Sequence, residues 1–397
     1  MSAKVRAHKY YKISPRPSSP KRGRIPLILA VFALLILGPA GVPAAEPQAV
    51  DHYERGSVYF QTNQYDLAIE EFSKAIGLDP GYAEAYSGRG AAYNGKGEHD
   101  LAIADCTAAI GLNPGYVEAY NNRGAAYHFK GEHDLAIEDY SRAIMLNPGY
   151  AMAYNNRGNA YHGKGDYDLA IEDFTKTIGL DPGYAEAYYN RGTAYNWKEQ
   201  YDLAVEDFTK AIGLKHGYAE AYDGRGAAYN LKGEYDPAIA DFTKAIGLGY
   251  AQAYFNRGRA YEGKGEYDLA IYDFTNFIEL VGDVGAETSI AYDSRGEAYL
   301  RGGQYDLAIA DFTKLIERAP GDEGDYLGRG AAYNGKGRYD LAIADFTKVI
   351  ELDPKYAEAY SGRGDAYNGK GDYDLAIADF TKAIELTPNS GDARYGR

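Results

Sequence analysis

The sequence predicts an all-α solenoid built from antiparallel helix pairs, and three observations support this. Ten Arg-Gly pairs recur at one position of the repeat between Arg55 and Gly364, most of them 34 residues apart. Between these pairs, apolar and small residues repeat at the spacing of one helix face. Turns rich in Gly and Pro separate the helical stretches. A period in the mid-thirties indicates units that bury their apolar faces by stacking on their neighbours.

Two segments of different composition precede the repeats. Residues 1–24 hold eight Lys and Arg and no acidic residue, and this basic stretch with its Pro and Ser is expected to be disordered. Residues 25–45 carry no charge and begin with an apolar run. This layout is typical of a secretory signal peptide, and the span is also long enough for an uncleaved membrane anchor.

Both interpretations of residues 25–45 predict that the repeats lie outside the cytoplasm. With a cleaved signal peptide, the protein is exported to the periplasm or surface of a bacterial cell. With an anchor, it sits in the inner membrane with the repeats outside, because basic flanks stay inside. In either case we expect membrane contact only through residues 25–45.

Each repeat encodes two helices, as residues 82–115 illustrate. Tyr86, Gly90 and Tyr93 lie at helical spacing on the first helix, which the following glycines interrupt. Asp100 is predicted to be the N-cap of the second helix. An Asn-Pro-Gly sequence ends that helix and turns the chain.

These residues resemble the tetratricopeptide repeat. That family's pattern is a large aromatic residue, Leu-Gly and Tyr on the first helix, then Ala, Phe and Ala on the second, with a closing Pro. The match recurs as ten repeats over residues 49–390, and in one repeat it consists of Tyr86, Gly90, Tyr93, Ala102, Ala109 and Pro114. The resemblance implies a right-handed superhelical solenoid whose first helices line a concave groove. It also implies a non-enzymatic scaffold that binds a protein or peptide.

One departure from the family pattern repeats in every unit. Where the family pattern has Leu directly before the Gly of the first helix, every repeat of this chain has Arg. The second helix of every repeat carries an acidic residue. We therefore expect an arginine–carboxylate ladder between helices, with solvated side chains as the alternative. Bidentate pairs of this kind can fix register while adding little net stability. The predicted ladder includes Arg89, Asp105, Arg123, Asp139, Arg157 and Asp173.

The repeats are least regular at residues 215–290 and at the two ends. Around residue 249 two residues are missing, and residues 281–288 lengthen the next junction, so we predict a bend or hinge at 215–290. The first repeat is expected to cap the start of the solenoid. Residues 391–397 match the beginning of a further first helix. The alternative function is therefore a structural protein that self-assembles through its terminal repeats.

Several motifs suggest chemistry, and their context argues against it. The segment Gly90–Gly97 resembles a phosphate-binding loop, but its first Gly lies within a helix and Gly replaces the required Ser or Thr. Cys106 occupies a core position that is Phe in other repeats. His128 and His162 lie one repeat apart and lack a third ligand. We expect no enzyme activity, no cofactor and no metal.

Function is expected where the first helices vary, on the face opposite their packing face. Asparagine amides both donate and accept, so they can bind a peptide backbone, and aromatic residues can anchor it. The alternative is that these asparagines are merely solvated. A net charge of −15 disfavours nucleic acid and favours a basic or neutral partner. The predicted groove residues are Asn121, Asn122, His128, Phe129, Asn155, Asn156, Asn159, His162, Tyr189, Asn190, Asn196, Trp197, Asp223, Phe255 and Asn256.

Overall fold

The computed structural model describes residues 46–283 and 285–387, which form twenty α-helices and no strand. The all-α solenoid of helix pairs is confirmed. The predictions for residues 1–24, 25–45 and 391–397 lie outside the described residues. Within the described ranges, no helix is long and apolar enough to span a membrane.

The described residues divide into two compact units, each a stack of paired helices. In every pair we call the first helix A and the second B. The first unit, residues 46–198, contains α1 Pro47–Gln61, α2 Tyr65–Leu78, α3 Ala83–Lys96, α4 His99–Leu112, α5 Val117–Phe129, α6 His133–Leu146, α7 Ala151–Lys164, α8 Tyr167–Leu180 and α9 Ala185–Trp197.

The second unit begins at Glu199 and contains the remaining helices. They are α10 Tyr201–Leu214, α11 Ala219–Lys232, α12 Tyr235–Gly247, α13 Gln252–Lys264, α14 Tyr267–Val281, α15 Ala286–Arg301, α16 Tyr305–Arg318, α17 Glu323–Gly335, α18 Tyr339–Leu352, α19 Ala357–Lys370 and α20 Tyr373–Leu386. Within each unit, A helices contact the B helix of the same repeat and also the A helix of the next repeat. The A helices therefore form a continuous layer in each unit.

The start of the B helices differs from the sequence prediction. Helix α4 begins at His99 with Glu98 as its N-cap, and no side chain caps it, so the prediction of Asp100 as N-cap is wrong. Asp100 lies in the first turn instead, and its carboxylate is 2.8 Å from Lys130 Nζ in the next repeat. An acidic group in the first turn also suits the helix dipole. The same lysine–aspartate link recurs along both units, for example between Lys264 and Asp236.

Glycine in each A helix allows the core ring of the B helix to pack against the backbone. In the fourth repeat, a Cβ on Gly158 would lie 2.7 Å from the fully buried ring of Phe174. In the second repeat, Cys106 takes the place of this ring beneath Gly90 and is fully buried, as the sequence predicts. Burial raises the pKa of the Cys106 thiol to about 12.

Changes in helix length accommodate the irregular residues between 215 and 290. Helix α12 ends at Gly247, and α13 begins at Gln252, which closes the shorter connection. The additional residues farther along extend α14 to Val281 and give α15 a first turn that starts at Ala286. The bend or hinge at residues 215–290 stays a prediction.

Two glycine substitutions within one repeat should have opposite effects. Gly158→Ala introduces a clash with Phe174 and should lower the free energy of unfolding by about 1–3 kcal/mol. Gly179→Ala, on the exposed side of α8, meets no atom within 4 Å. It should raise that free energy by about 0.5–1 kcal/mol, since Ala favours helix. Urea unfolding followed by circular dichroism measures both changes, and two shifts of the same sign would contradict the packing described.

Candidate functional site

Buried arginine clamps join the helices on the B side of each A helix. Arg157 donates from Nε and Nη2 to the two carboxylate oxygens of Asp173 on its own B helix, both at 2.8 Å. Its Nη1 donates to Ser141 Oγ of the preceding repeat at 3.0 Å. The guanidinium also lies against the rings of Tyr154 and Tyr161. One arginine thus connects three helices.

The clamp recurs with nearly constant geometry in both units. Each arginine bonds its own Asp through two atoms, and a Ser or Thr of the preceding repeat through the third. The clamp arginines with this arrangement are Arg89, Arg123, Arg157, Arg225, Arg257, Arg295, Arg329 and Arg363. In the first repeat a glutamate, Glu71, takes the place of the aspartate.

The clamp carboxylates are buried, and the clamp arginines are half-buried between the helices. The pKa values of Asp139 and Asp273 lie above the ordinary carboxyl value because burial outweighs the adjacent arginine. This balance is what desolvation of a buried ion pair predicts, so the clamp contributes geometry more than net stability. Arg89, Asp105, Arg123, Asp139, Arg157 and Asp173 therefore lie in the helix interfaces and not on an open face.

A second set of hydrogen bonds links neighbouring A helices on their other side. Asn156 Nδ2 donates to Asn121 Oδ1 at 3.0 Å, and Asn190 Nδ2 donates to Asn155 Oδ1 at 3.1 Å. Asn122 Nδ2 donates in the same register to Ser87 Oγ. We call these contacts the asparagine ladder. In each contact, the donor and the acceptor lie on successive A helices. The donor is one position farther along its repeat than the acceptor is along the preceding repeat.

This ladder corrects part of the predicted groove. Asn121, Asn155, Phe255 and Asn256 are each less than 10% exposed, so they do not line an open face. The physical reason is that adjacent A helices pack directly on one another. Asn121 and Asn155 are the covered acceptors of the ladder, Asn256 is bonded to Asp223, and Phe255 packs against Phe274 and Phe277. Sequence periodicity identified the stripe but could not distinguish its covered edge from its open edge.

Three asparagines keep an unused oxygen on the open edge of the first unit. Asn122, Asn156 and Asn190 are half-buried, and each uses its Nδ2 in the ladder. Among the described residues, none donates to their Oδ1 atoms. An amide oxygen has two acceptor positions, so these atoms can accept hydrogen bonds from a ligand.

Aromatic and histidine rings line the loop edge of the first unit. Phe129 stacks on His99 with ring centroids 5.3 Å apart, and Trp197 stacks on Tyr167 at 5.7 Å. His162 contacts both members of the second stack. Phe129 is 48% exposed and Trp197 is half-buried, so both remain candidate anchors.

The other predicted groove residues lie at intermediate depth. In the first unit, the side chains of His128, Asn159, Tyr189 and Asn196 are half-buried. In the second unit, Asp223 accepts hydrogen bonds from Asn256 Nδ2 through both carboxylate oxygens, at 2.8 and 3.0 Å. Burial raises the pKa of Asp223 to about 7, with a smaller contribution from Glu220. No described group of three or more His, Cys, Asp or Glu is arranged to hold a metal ion.

The sequence reasoning missed a row of tyrosines immediately before the A helices. They are half-buried, and burial raises the pKa of Tyr150 and of Tyr184 to about 12. Their signal in the sequence was a Tyr in the first position of successive repeats, directly before the A helix. The row in the first unit consists of Tyr82, Tyr116, Tyr150 and Tyr184.

Family comparisons agree with this architecture. Models of the tetratricopeptide repeat match several stretches of the chain, four of them consecutive between residues 83 and 218. The matched ranges are 56–97, 83–116, 117–150, 151–184, 185–218, 232–276, 291–322 and 327–391. No curated protein matches the chain.

Solved structures with the same repeat resemble parts of the chain. A tetratricopeptide repeat protein from Parabacteroides merdae is 20% identical, covers 64% of this chain and 99% of its own, and has a TM-score of 0.50. MamA is 34% identical over 40% of this chain and 93% of its own, with a TM-score of 0.36. YrrB, described as having an unusual peptide-binding site, is 23% identical over 57% of this chain and 97% of its own, with a TM-score of 0.35.

The raised pKa of Asp223 predicts that the ionisation of this residue lowers the stability of the folded protein as pH rises. As pH rises from about 4 to about 7, the unfolded chain loses the Asp223 proton before the folded chain does, so this residue's contribution to stability falls. Asp223→Asn removes that dependence and recreates the Asn121–Asn156 type of link. The variant's advantage in melting temperature should therefore grow over this range and then level off. A constant difference across the range would show that Asp223 ionises normally.

Proposed function

The chain belongs to the tetratricopeptide repeat family, and from this premise we propose that its first unit binds an extended peptide or protein segment. The bound segment lies along the open edge of the A-helix layer. Repeats of this fold typically serve as non-catalytic interaction scaffolds. The observation that carries the proposal is the set of unused amide oxygens on Asn122, Asn156 and Asn190.

The spacing of these asparagines suits a peptide backbone. Packed helix axes lie about 8–10 Å apart. An extended chain rises about 3.3 Å per residue. Equivalent asparagines on successive A helices therefore lie about three residues of an extended segment apart. In a polyproline II segment, which has about three residues per turn, every third N–H faces the same side. Phe129 and Trp197 would add apolar anchors beside this row, since exposed aromatic residues commonly anchor partners.

Charge supports a basic or neutral partner. The chain has a net charge of −15 even with its basic first residues. Glu118 is exposed at the start of α5, and Glu186 and Glu220 hold the same position in later A helices. Negative charge along this edge attracts lysine and arginine and repels the phosphates of nucleic acid.

Export or anchoring completes the proposal. Its support is the order of a basic stretch, the uncharged residues 25–45 and then the repeats. The test is mass spectrometry of the N-terminus in protein from fractionated cells. A chain starting just after Ala44 or Ala45 indicates a cleaved signal, and an intact N-terminus in the membrane fraction indicates an anchor. Intact protein in the cytosol would contradict both.

Self-assembly is the second candidate function, and one feature of the second unit favours it. Helix α20 exposes Tyr373 and Ile377, whose equivalents Tyr339 and Ile343 are half-buried under the next repeat. Light scattering over a range of concentrations tests this candidate. A mass that stays monomeric at high concentration would rule it out.

A matched pair of substitutions tests the peptide site. Asn156→Ala removes the open amide oxygen together with the Asn156–Asn121 bond, whereas Asn121→Ala removes that bond and a long Nδ2 contact to Met152 Sδ but leaves the Asn156 oxygen in place. The probe is an array of peptides of about 12 residues, which span ~40 Å when extended. Peptides captured by the wild type should bind Asn156→Ala several-fold more weakly, because one hydrogen bond is worth about 0.5–1.5 kcal/mol.

The control separates binding from stability. Asn121→Ala should keep wild-type capture, since Asn121 is buried and the contacts that it loses, to Asn156 and Met152, lie within the helix layer. Lys176→Ala, on the exposed side of α8, should also bind as the wild type does. Equal losses in Asn156→Ala and Asn121→Ala would contradict a peptide contact at Asn156.

A further inference from the structure

Three histidines of the first unit meet where the third and fourth repeats stack. His128 at the end of α5 and His133 at the start of α6 have ring centroids 5.0 Å apart. His133 also packs against the next repeat, because a Cβ on Gly163 would lie 2.9 Å from its ring. His162, the neighbour of Gly163, lies close enough to act electrostatically on His128. We call these three residues the histidine joint.

Three buried ring nitrogens of the histidine joint make no hydrogen bond to the described residues. His128 Nδ1, His133 Nδ1 and His162 Nε2 are buried, and none has a partner among the described residues. In a neutral imidazole, the nitrogen without a hydrogen-bond partner can be the one that carries no proton. An imidazolium carries an N–H group at both nitrogens, and burying either without a partner is costly. Most other repeats have Asn and Tyr at the equivalent positions, so the joint is particular to these repeats.

The charged groups around the joint are already paired. Lys130 bonds Asp100 and Glu132. Lys164 bonds Asp134, the carboxylate nearest to His133, and lies 3.9 Å from Asp166. The remaining neighbours are rings: Phe129 from α5, His99 from α4, Tyr167 from α8 and Trp197 from α9. An added positive charge on the joint would therefore meet other imidazoles and no free carboxylate.

From this arrangement we propose that the histidine joint is an acid-sensitive contact between the third and fourth repeats, closed when its rings are neutral and opened by their protonation. Burial and mutual repulsion lower the pKa of His128 to about 4, and burial lowers the pKa of His162 to about 4. An opened joint restores ordinary values near 6.5, so it binds protons first as pH falls. The closed contact therefore loses stability between about pH 6.5 and 4.

The chain carries its own reporter for this event. Trp197 is the only tryptophan, and it contacts His162 and stacks on Tyr167. Acidification of the wild-type chain should shift its emission to the red and quench it, reversibly. The protection factors of the α5 to α8 amides, which correct the exchange rates for the intrinsic effect of pH, should fall over the same pH range, while those of α1 and α2 should not.

The decisive variant replaces the joint with residues that the chain uses in other repeats. His128→Asn, His133→Tyr and His162→Asn together should fold, and should lose both the emission change and the exchange change. His216→Pro, at an exposed turn of the second unit, restores the residue of other repeats and should behave as the wild type. If the triple variant keeps the acid transition of the wild type, the carboxylates of the arginine clamps cause it and the proposal is overturned. A wild type whose α5–α8 protection factors do not fall on acidification also overturns it.

Discussion

The buried arginine clamp is the interaction on which the rest of the structure depends. One guanidinium holds the carboxylate of its own B helix through two bonds and a hydroxyl of the preceding B helix through a third, as Arg157 does with Asp173 and Ser141. Two tyrosine rings cover its faces. A planar, five-donor group is suited to such a junction, whereas lysine could not supply the fork. The clamp therefore sets both the pairing of helices within a repeat and the register between repeats.

The clamp leaves the opposite side of the A helices to vary. There, neighbouring repeats are joined by the asparagine ladder in the first unit and by the Asn256–Asp223 contact in the second. Each ladder link of the first unit uses one N–H and one acceptor, so the Oδ1 of the donating asparagine remains for other contacts. The architecture and the peptide site thus share residues without competing for the same atoms. The histidine joint likewise has His where most other repeats have Asn or Tyr, and the helices around it keep the lengths of other repeats.

Much of the fold could be predicted from the chain, because each repeat states the same pattern again. The repeated arginine and acid predicted contact between the helices, and the glycine predicted close packing. The sequence-based predictions were wrong where contacts with a neighbouring repeat determine whether a side chain is exposed or which group it binds. Asn121 and Asn155 lie on a polar stripe, but the next A helix covers them. Asp100 looked like a cap, but a lysine one repeat later engages it. The tyrosine row before the A helices did not stand out, because tyrosine recurs at several positions of most repeats.

A double-mutant cycle on one clamp tests the central claim most directly. Arg157→Leu and Asp173→Leu, made singly, each leave a buried charge without its partner and should lower the free energy of unfolding by about 3–5 kcal/mol. The double variant replaces the pair with apolar side chains, and it should recover most of that loss. The same cycle on the exposed Lys164–Asp134 pair should give a much smaller coupling. Additive single effects at Arg157 and Asp173, with coupling below about 0.5 kcal/mol, would contradict the clamp as the organising contact.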